Sequence, residues 1–334
     1  MTIGAPPSAA TGGTSPAPPA ARAAAARRLH AATPAAGALV ALVVLVAANA
    51  LFTPNFATTG NLWNILWQVS SVVLVAVGMT LVIATGGVDL SVGSVMAIAG
   101  AIGATQIGHG VVAAGLMGVA GAAAVGALNG ALIARYRIQP IVVTLATLIA
   151  GRGLAQVLSN DGQLVPIRDA AALAFGRGRV GPVPIPVIVA VVVVALAAFV
   201  LRSTPFGRYV LAVGGNPKAA RLAGVPVQRT LITVYALSGV LAGIAGLLEA
   251  SRLGASDAAK IGLNVELDAI AAAVVGGTAL TGGRATIVGT VVGALVMQVI
   301  ATSFNMLLIP YAWALVLKAA IIVVAVYFQR PRRV

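Results

Sequence analysis

The sequence predicts an all-α, polytopic membrane protein of about ten transmembrane helices, and three observations carry that prediction. The chain has 334 residues, of which 60% are hydrophobic and only 8% charged. A soluble domain carries about 25% charged residues, because its surface faces water. The apolar residues recur in runs of about 18 or more, long enough to cross hydrocarbon at roughly 1.5 Å per residue. The basic residues fall between these runs instead of gathering on one face, so a formal charge of +14 reads as a topology signal and not as a nucleic-acid surface. The absence of cysteine excludes disulfides and thiolate metal sites. His30 and His109 are too far apart in sequence to read as a metal pair.

Residues 1–34 are rich in Ala, Pro, Thr and Gly with Arg22, Arg27 and Arg28, which predicts a disordered basic tail with nothing to bury. The membrane domain is expected over 35–328. Its first run, 35–52, ends in Ala48-Asn49-Ala50 like a signal peptide, but an uncleaved first helix is expected, since the spans that follow need no cleaved leader. Further segments fall near 62–85, 92–108, 111–133, 140–158, 183–201, 229–250, 265–281, 286–304 and 311–328, before a basic C-terminus at 329–334. On alternate sides, one set of loops and ends takes Arg22, Arg27, Arg28, Arg135, Arg137, Arg202, Arg208, Lys218, Arg221, Arg229, Arg284, Arg330, Arg332 and Arg333. The other takes Arg152, Arg168, Arg177, Arg179, Arg252 and Lys260. Positive charge stays inside, so both termini are expected in the cytoplasm. Lys318, left out of both sets, falls within a span, where its head snorkels to the surface or meets an acidic partner.

Two segments echo each other. Gly86-Gly87-Val88-Asp89-Leu90-Ser91-Val92-Gly93 parallels Gly276-Gly277-Thr278-Ala279-Leu280-Thr281-Gly282-Gly283, each between an inward and an outward run. This is the pattern of a parallel internal repeat with a break in each half.

The first copy is the most informative stretch of the chain. Gly86 and Gly87 interrupt a regular helix, and Asp89 places an ionisable group between apolar runs. Such a group must face protein, a cavity or a partner. It either caps or packs the helix beginning near Ser91, or it contacts substrate; Gly93 belongs to the same break. On the preceding helix Asn61, Asn64, Gln68 and Ser71 recur at three- and four-residue spacing. Asn64, Gln68 and Ser71 are candidate pathway residues, with hydrogen bonding between helices as the alternative.

The connection 202–228 contains a short helix spelled out with its ends. Asn216 suits the N-cap, Pro217 the first turn and Gly224 the position after the last turn. A helix this short is marginal in water, so Gly215, Asn216, Pro217, Ala220, Arg221, Leu222 and Gly224 are read as a segment that docks on a partner. Gly239/Gly243 and Gly289/Gly293 read as GxxxG helix-packing pairs. Glu266 and Asp268 read as helix-start acids. No GxxxxGK[ST] phosphate loop, catalytic triad or metal motif is present, so the chain is read as neither an ATPase nor another enzyme. If transport is active, its energy enters from another subunit.

Three regions together resemble the permease subunits of monosaccharide ABC importers, the ribose and galactose type, with a finer likeness to galactofuranose permeases. They are Gly78-Met79-Thr80-Leu81-Val82-Ile83 with Thr85 to Ser94, Thr204-Pro205-Phe206-Gly207-Arg208 with Val213 to Arg221, and Glu266 to Ala272 with Gly276-Gly277-Thr278 and Gly282-Gly283-Arg284. Ala285 departs from the glycine common among such proteins. The resemblance implies a bacterial inner-membrane permease that pairs with a second copy or a paralogue. It also implies a periplasmic sugar-binding protein outside and a cytoplasmic ABC ATPase inside, with ATP and Mg on the ATPase and no cofactor in this chain. The Asn216–Gly224 segment then matches the region that meets the ATPase. An ion-coupled secondary transporter, and the related amino-acid and nucleoside branches, are the alternative readings.

Overall fold

The computed structural model describes residues 20–329. The chain divides at Thr33–Pro34, and the part from Pro34 onward is one compact unit. Its helices are α1 (Ala20–Phe52, beginning before that boundary), α2 (Thr59–Ala84), α3 (Val92–Thr105), α4 (Val111–Tyr136), α5 (Pro140–Leu158), α6 (Ala170–Arg177), α7 (Ile185–Ser203), α8 (Pro205–Gly215), α9 (Pro217–Leu222), α10 (Val227–Leu253), α11 (Val265–Val275), α12 (Ile287–Met306) and α13 (Tyr311–Gln329). Two short antiparallel pairs complete it: β1 (Val165–Pro166) with β4 (Ala255–Ser256), and β2 (Arg179–Val180) with β3 (Val183–Pro184). In register, Val165 faces Ser256 and Arg179 faces Pro184.

Among the described residues six helices are long and apolar enough to cross a membrane: α2, α4, α5, α7, α10 and α12. Shorter apolar helices lie at 36–52, 92–105 and 312–324. The expectation of about ten spanning helices is therefore loose in its count. At 14 and 11 residues, α3 and α11 rise only about 21 and 16 Å, roughly half of a bilayer. The segment expected to run from 265 to 281 stops at Val275, because Gly277 takes φ +92° and turns the chain. The tail read over 1–34 falls mostly outside the described residues, and α1 starts within it, at Ala20. Both α6 and α8 went unread in the sequence, although Asp169 and Thr204 accept the hydrogen bonds of ordinary N-caps.

The core is built on α2, α3 and α10. From Val73 to Ala84 every residue of α2 is buried, which is what a helix apolar on all sides demands. α4 lies along α10 at close range, since Gly126 and Gly239 leave room for each other's backbone. Gly289 and Gly293 do the same for α12, against Gly276 just past the end of α11 and Ala272 within it. Both GxxxG pairs thus serve packing, which without a hydrophobic drive between helices rests on such close approach.

Candidate functional site

The break after α2 brings Asp89 to a buried position, only 2% exposed. Its carboxylate is met by donors on every side. Ser91 donates from both its backbone N–H (3.0 Å) and its hydroxyl (2.6 Å) to Oδ1, and Ser238 of α10 donates to Oδ2 at 3.0 Å. The chain of bonds continues outward. Asn129 of α4 donates to Ser91 Oγ at 2.9 Å, and Thr147 of α5 donates to Asn129 Oδ1 at 2.6 Å. Five side chains from four elements therefore form one satisfied polar network inside an apolar core, the condition under which such a group is tolerated there. Asp89 packs and cross-links. Its bond from the Ser91 N–H, two residues on, also has the form of a cap at the start of α3, where Ser91 itself is in αR conformation and its side chain makes no cap bond.

Gly87 and Gly93 are glycines for want of space. A Cβ on Gly87 would stand 2.5 Å from the buried Tyr235 hydroxyl, and one on Gly93 would run into the Gly262 carbonyl and stand 2.8 Å from Glu266 Oε2. Gly86 is required for its φ of +83°.

The two echoing breaks meet. Gly283 donates its N–H to the Ala84 carbonyl at 2.9 Å, and a Cβ on Gly282 would lie 2.9 Å from Gly86 N. Between them sits Gly214, at the end of α8, with no room for a side chain against Ala84 O or Gly283 N. The α8–α9 arm thus rests directly on both breaks.

The arm ends as the sequence spells it. Asn216 accepts from the N–H groups of Lys218 (3.1 Å) and Ala219 (3.0 Å), and Gly224 leaves the helix at φ +78° while Val225 N–H closes on Ala220 O at 3.0 Å. Of the candidate docking residues, Gly215, Asn216, Pro217, Arg221, Leu222 and Gly224 are exposed. Leu222 is 91% exposed, a large cost for a leucine with nothing against it. Ala220 instead faces inward, buried with Val213 and Val227, and is the anchor of the helix on its own protein.

Asn64, Gln68 and Ser71 lie on a polar face that the structure extends. Gln68 Nε2 donates to Asn64 Oδ1 at 2.9 Å, and Gln298 of α12 donates to Gln68 Oε1 and Thr302 Oγ1, both at 3.3 Å. Asn64 is exposed while Gln68 and Ser71 are half-buried. Gln298 and Thr302 were missed by sequence reasoning. Their signal was a polar pair four residues apart, on a helix that also carries Thr290, Ser303 and Asn305.

Two further charges are placed by tertiary contacts. Arg152, counted with the outer set of basic residues, lies within α5, inside the expected segment 140–158, and donates to the carbonyls of Ala258 (2.9 Å), Ile261 (2.7 Å) and Gly262 (3.4 Å). It thereby holds the 257–264 turn against the core. Lys318 does not snorkel. It is 6% exposed and contacts both Asp268 oxygens, at 2.7 and 3.0 Å, pinning α13 to α11. Asp268 is thus an ion-pair partner more than a helix-start charge.

Comparison with known proteins agrees with this architecture. The chain is 42% identical over 302 residues to the ribose import permease of Escherichia coli, covering 88% of this chain and 93% of that one. It is 40% identical to the L-arabinose ABC transporter permease of Azospirillum brasilense over 299 residues, covering 89% and 88%. It is also 40% identical to the galactofuranose transporter permease of Escherichia coli over 304 residues, covering 88% and 89%. No solved structure matches. Residues 61–326, which hold both breaks, the α8–α9 arm and the polar network, match the family described as "Branched-chain amino acid transport system / permease component", and the chain belongs to that family of multi-pass membrane permeases.

Proposed function

We propose that this chain is the membrane-spanning permease subunit of an ATP-driven importer that carries a monosaccharide across the bacterial inner membrane. The observation that carries the reading is the likeness, across nearly the whole chain, to permeases that import ribose, L-arabinose and galactofuranose. Hydrolysis belongs to a separate ABC ATPase, with ATP and Mg bound there, and a periplasmic binding protein delivers the sugar. A second copy or a paralogue completes the pathway. The termini and the break end face the cytoplasm in this reading, following the distribution of Lys and Arg.

The α9 helix docks on the ATPase, and the exposed Leu222 beside Lys218 and Arg221 supports that role. Asn64, Gln68 and Ser71, joined by Gln298 and Thr302, line the path. Amides and hydroxyls both donate and accept, which is the chemistry a polyhydroxylated substrate needs. Asp89, Ser91 and the break glycines support that path from within the protein.

The test is uptake of labelled ribose, L-arabinose and galactofuranose in proteoliposomes holding the chain with its ATPase and binding protein. Uptake is expected to require ATP and to survive an ionophore. Uptake without the ATPase that collapses with the ion gradient would establish the secondary-transporter alternative. Leu222→Asp should leave membrane insertion intact and abolish ATP-dependent uptake; normal uptake in that variant would remove α9 as the docking element.

A further inference from the structure

A cleft of about 620 Å³ opens beside α4 and α6 and runs inward to α3 and α10. Its floor is Gly103 and Leu247, and its walls include Gly115 and Leu116 on α4 and Ala172 and Phe175 on α6. The volume is that of a ligand site, yet the lining is almost wholly apolar. Leu116, 66% exposed, and its neighbour Val112, 76% exposed, line the cleft and also belong to the outward surface of α4. In a membrane permease that surface meets lipid tails, so the space opens sideways into hydrocarbon.

Three arginines adjoin lining residues in sequence. Arg168 follows the lining residue Ile167, Arg177 lies two residues beyond Phe175, and Arg252 follows Ser251. Arg177 Nε donates to the Arg252 carbonyl at 2.8 Å, and the Arg252 guanidinium lies 5.7 Å from the centre of the Trp67 ring. Trp67 in turn donates to Gly176 O at 2.7 Å. Trp and Arg together mark the depth of the lipid headgroups. Asp169, next to Arg168, is turned into α6, accepting from Ala171 N and Ala172 N, and Glu249 lies three residues before Arg252 on α10. Among the described residues none of these three arginines forms a salt bridge, and Arg168 and Arg177 are exposed.

We propose that this cleft binds one anionic phospholipid, with an acyl chain in the apolar slot and its phosphate on Arg168 and Arg177. Guanidinium groups match phosphate oxygens through paired N–H donors. The small residues Ala172 and Gly115 leave the room the chain fills, while Gly103 gives its space to Leu247. The bound chain lies against α3, whose first turn carries the Asp89 network, so lipid and break share one helix.

The test is lipid retention. The full chain, purified with its partners from vesicles of phosphatidylglycerol and phosphatidylethanolamine with identical acyl chains, is delipidated stepwise and its remaining lipid counted by mass spectrometry. Wild type is expected to retain phosphatidylglycerol with a preference of roughly thirtyfold, from two basic contacts at about 1 kcal/mol each. Gly115→Phe fills the slot, since a Cβ there meets only Leu247 Cδ1 at 3.9 Å, and should lose the retained lipid of both kinds. The double variant Arg168→Gln, Arg177→Gln alters exposed residues only; it should keep a bound chain and lose the preference. Equal release of both lipids from wild type, unchanged retention in Gly115→Phe, or an unchanged preference in the double arginine variant would each overturn the proposal.

Discussion

Gly214 and Gly215 are adjacent glycines in the last turn of α8, and the structure assigns them opposite tolerance. A Cβ on Gly214 would overlap the Ala84 carbonyl oxygen and come within 2.5 Å of Gly283 N. It would therefore enter the hydrogen bond that joins the two breaks. Losing that bond leaves buried groups unsatisfied at about 1–3 kcal/mol. Displacing packed backbone costs about 1–3 kcal/mol more. Gly214→Ala should therefore destabilise the chain by about 2–6 kcal/mol. At Gly215 nothing lies within 4 Å of the added carbon, so Gly215→Ala should be neutral or stabilise by up to about 1 kcal/mol through lost backbone entropy. Thermal unfolding of the two variants in detergent, run beside wild type, reads the difference directly. A Gly214→Ala protein within about 0.5 kcal/mol of wild type would refute the three-way contact of Gly86, Gly214 and Gly282–Gly283 as described. If the contact also carries force from α9, transport per ATP hydrolysed falls in the same variant.

Three other outcomes follow from the same geometry. Lys318→Met should cost about 3–5 kcal/mol by leaving Asp268 charged and half-buried, and Lys318→Met with Asp268→Leu should recover most of it, as a double-mutant cycle of thermal stability will show. Ser238→Ala should cost about 1.5–3 kcal/mol, the worth of a hydrogen bond to a charged group, while Asp89→Ala should cost more because three donors lose one acceptor. Arg152→Ala should free the carbonyls of Ala258, Ile261 and Gly262, raising hydrogen exchange in the 257–264 turn while leaving that of α9 unchanged.

Much of the architecture was legible because lipid imposes simple demands. Apolar runs announced the helices, glycine pairs announced the breaks, and Asn216, Pro217 and Gly224 announced the ends of α9, each through local physics. Spacing placed Asn64 and Gln68 together on one face. Local signals could not say that α3 and α11 are half-length, since an apolar stretch reads alike whether it spans or packs. The caps of α6 and α8 were present in Asp169 and Thr204 but sat in segments read as loops.

The inward or outward direction of a side chain on a short helix was also beyond local reading. Ala220 and Leu222 both looked like docking residues, yet the packing of α9 on Val213 and Val227 turned one in and left the other exposed.

Composition and patterning along the chain were sufficient for the class and the places where helices break, because these depend on neighbours a few residues apart. Partnerships across the fold were not readable in this way. Asp89 with Ser238, Lys318 with Asp268, Arg152 with the 257–264 turn and Gly214 with Ala84 join residues 149, 50, about a hundred and more than a hundred positions apart. Each pairing depends on which helix faces lie against each other, and that is set by the packing of small residues throughout the core.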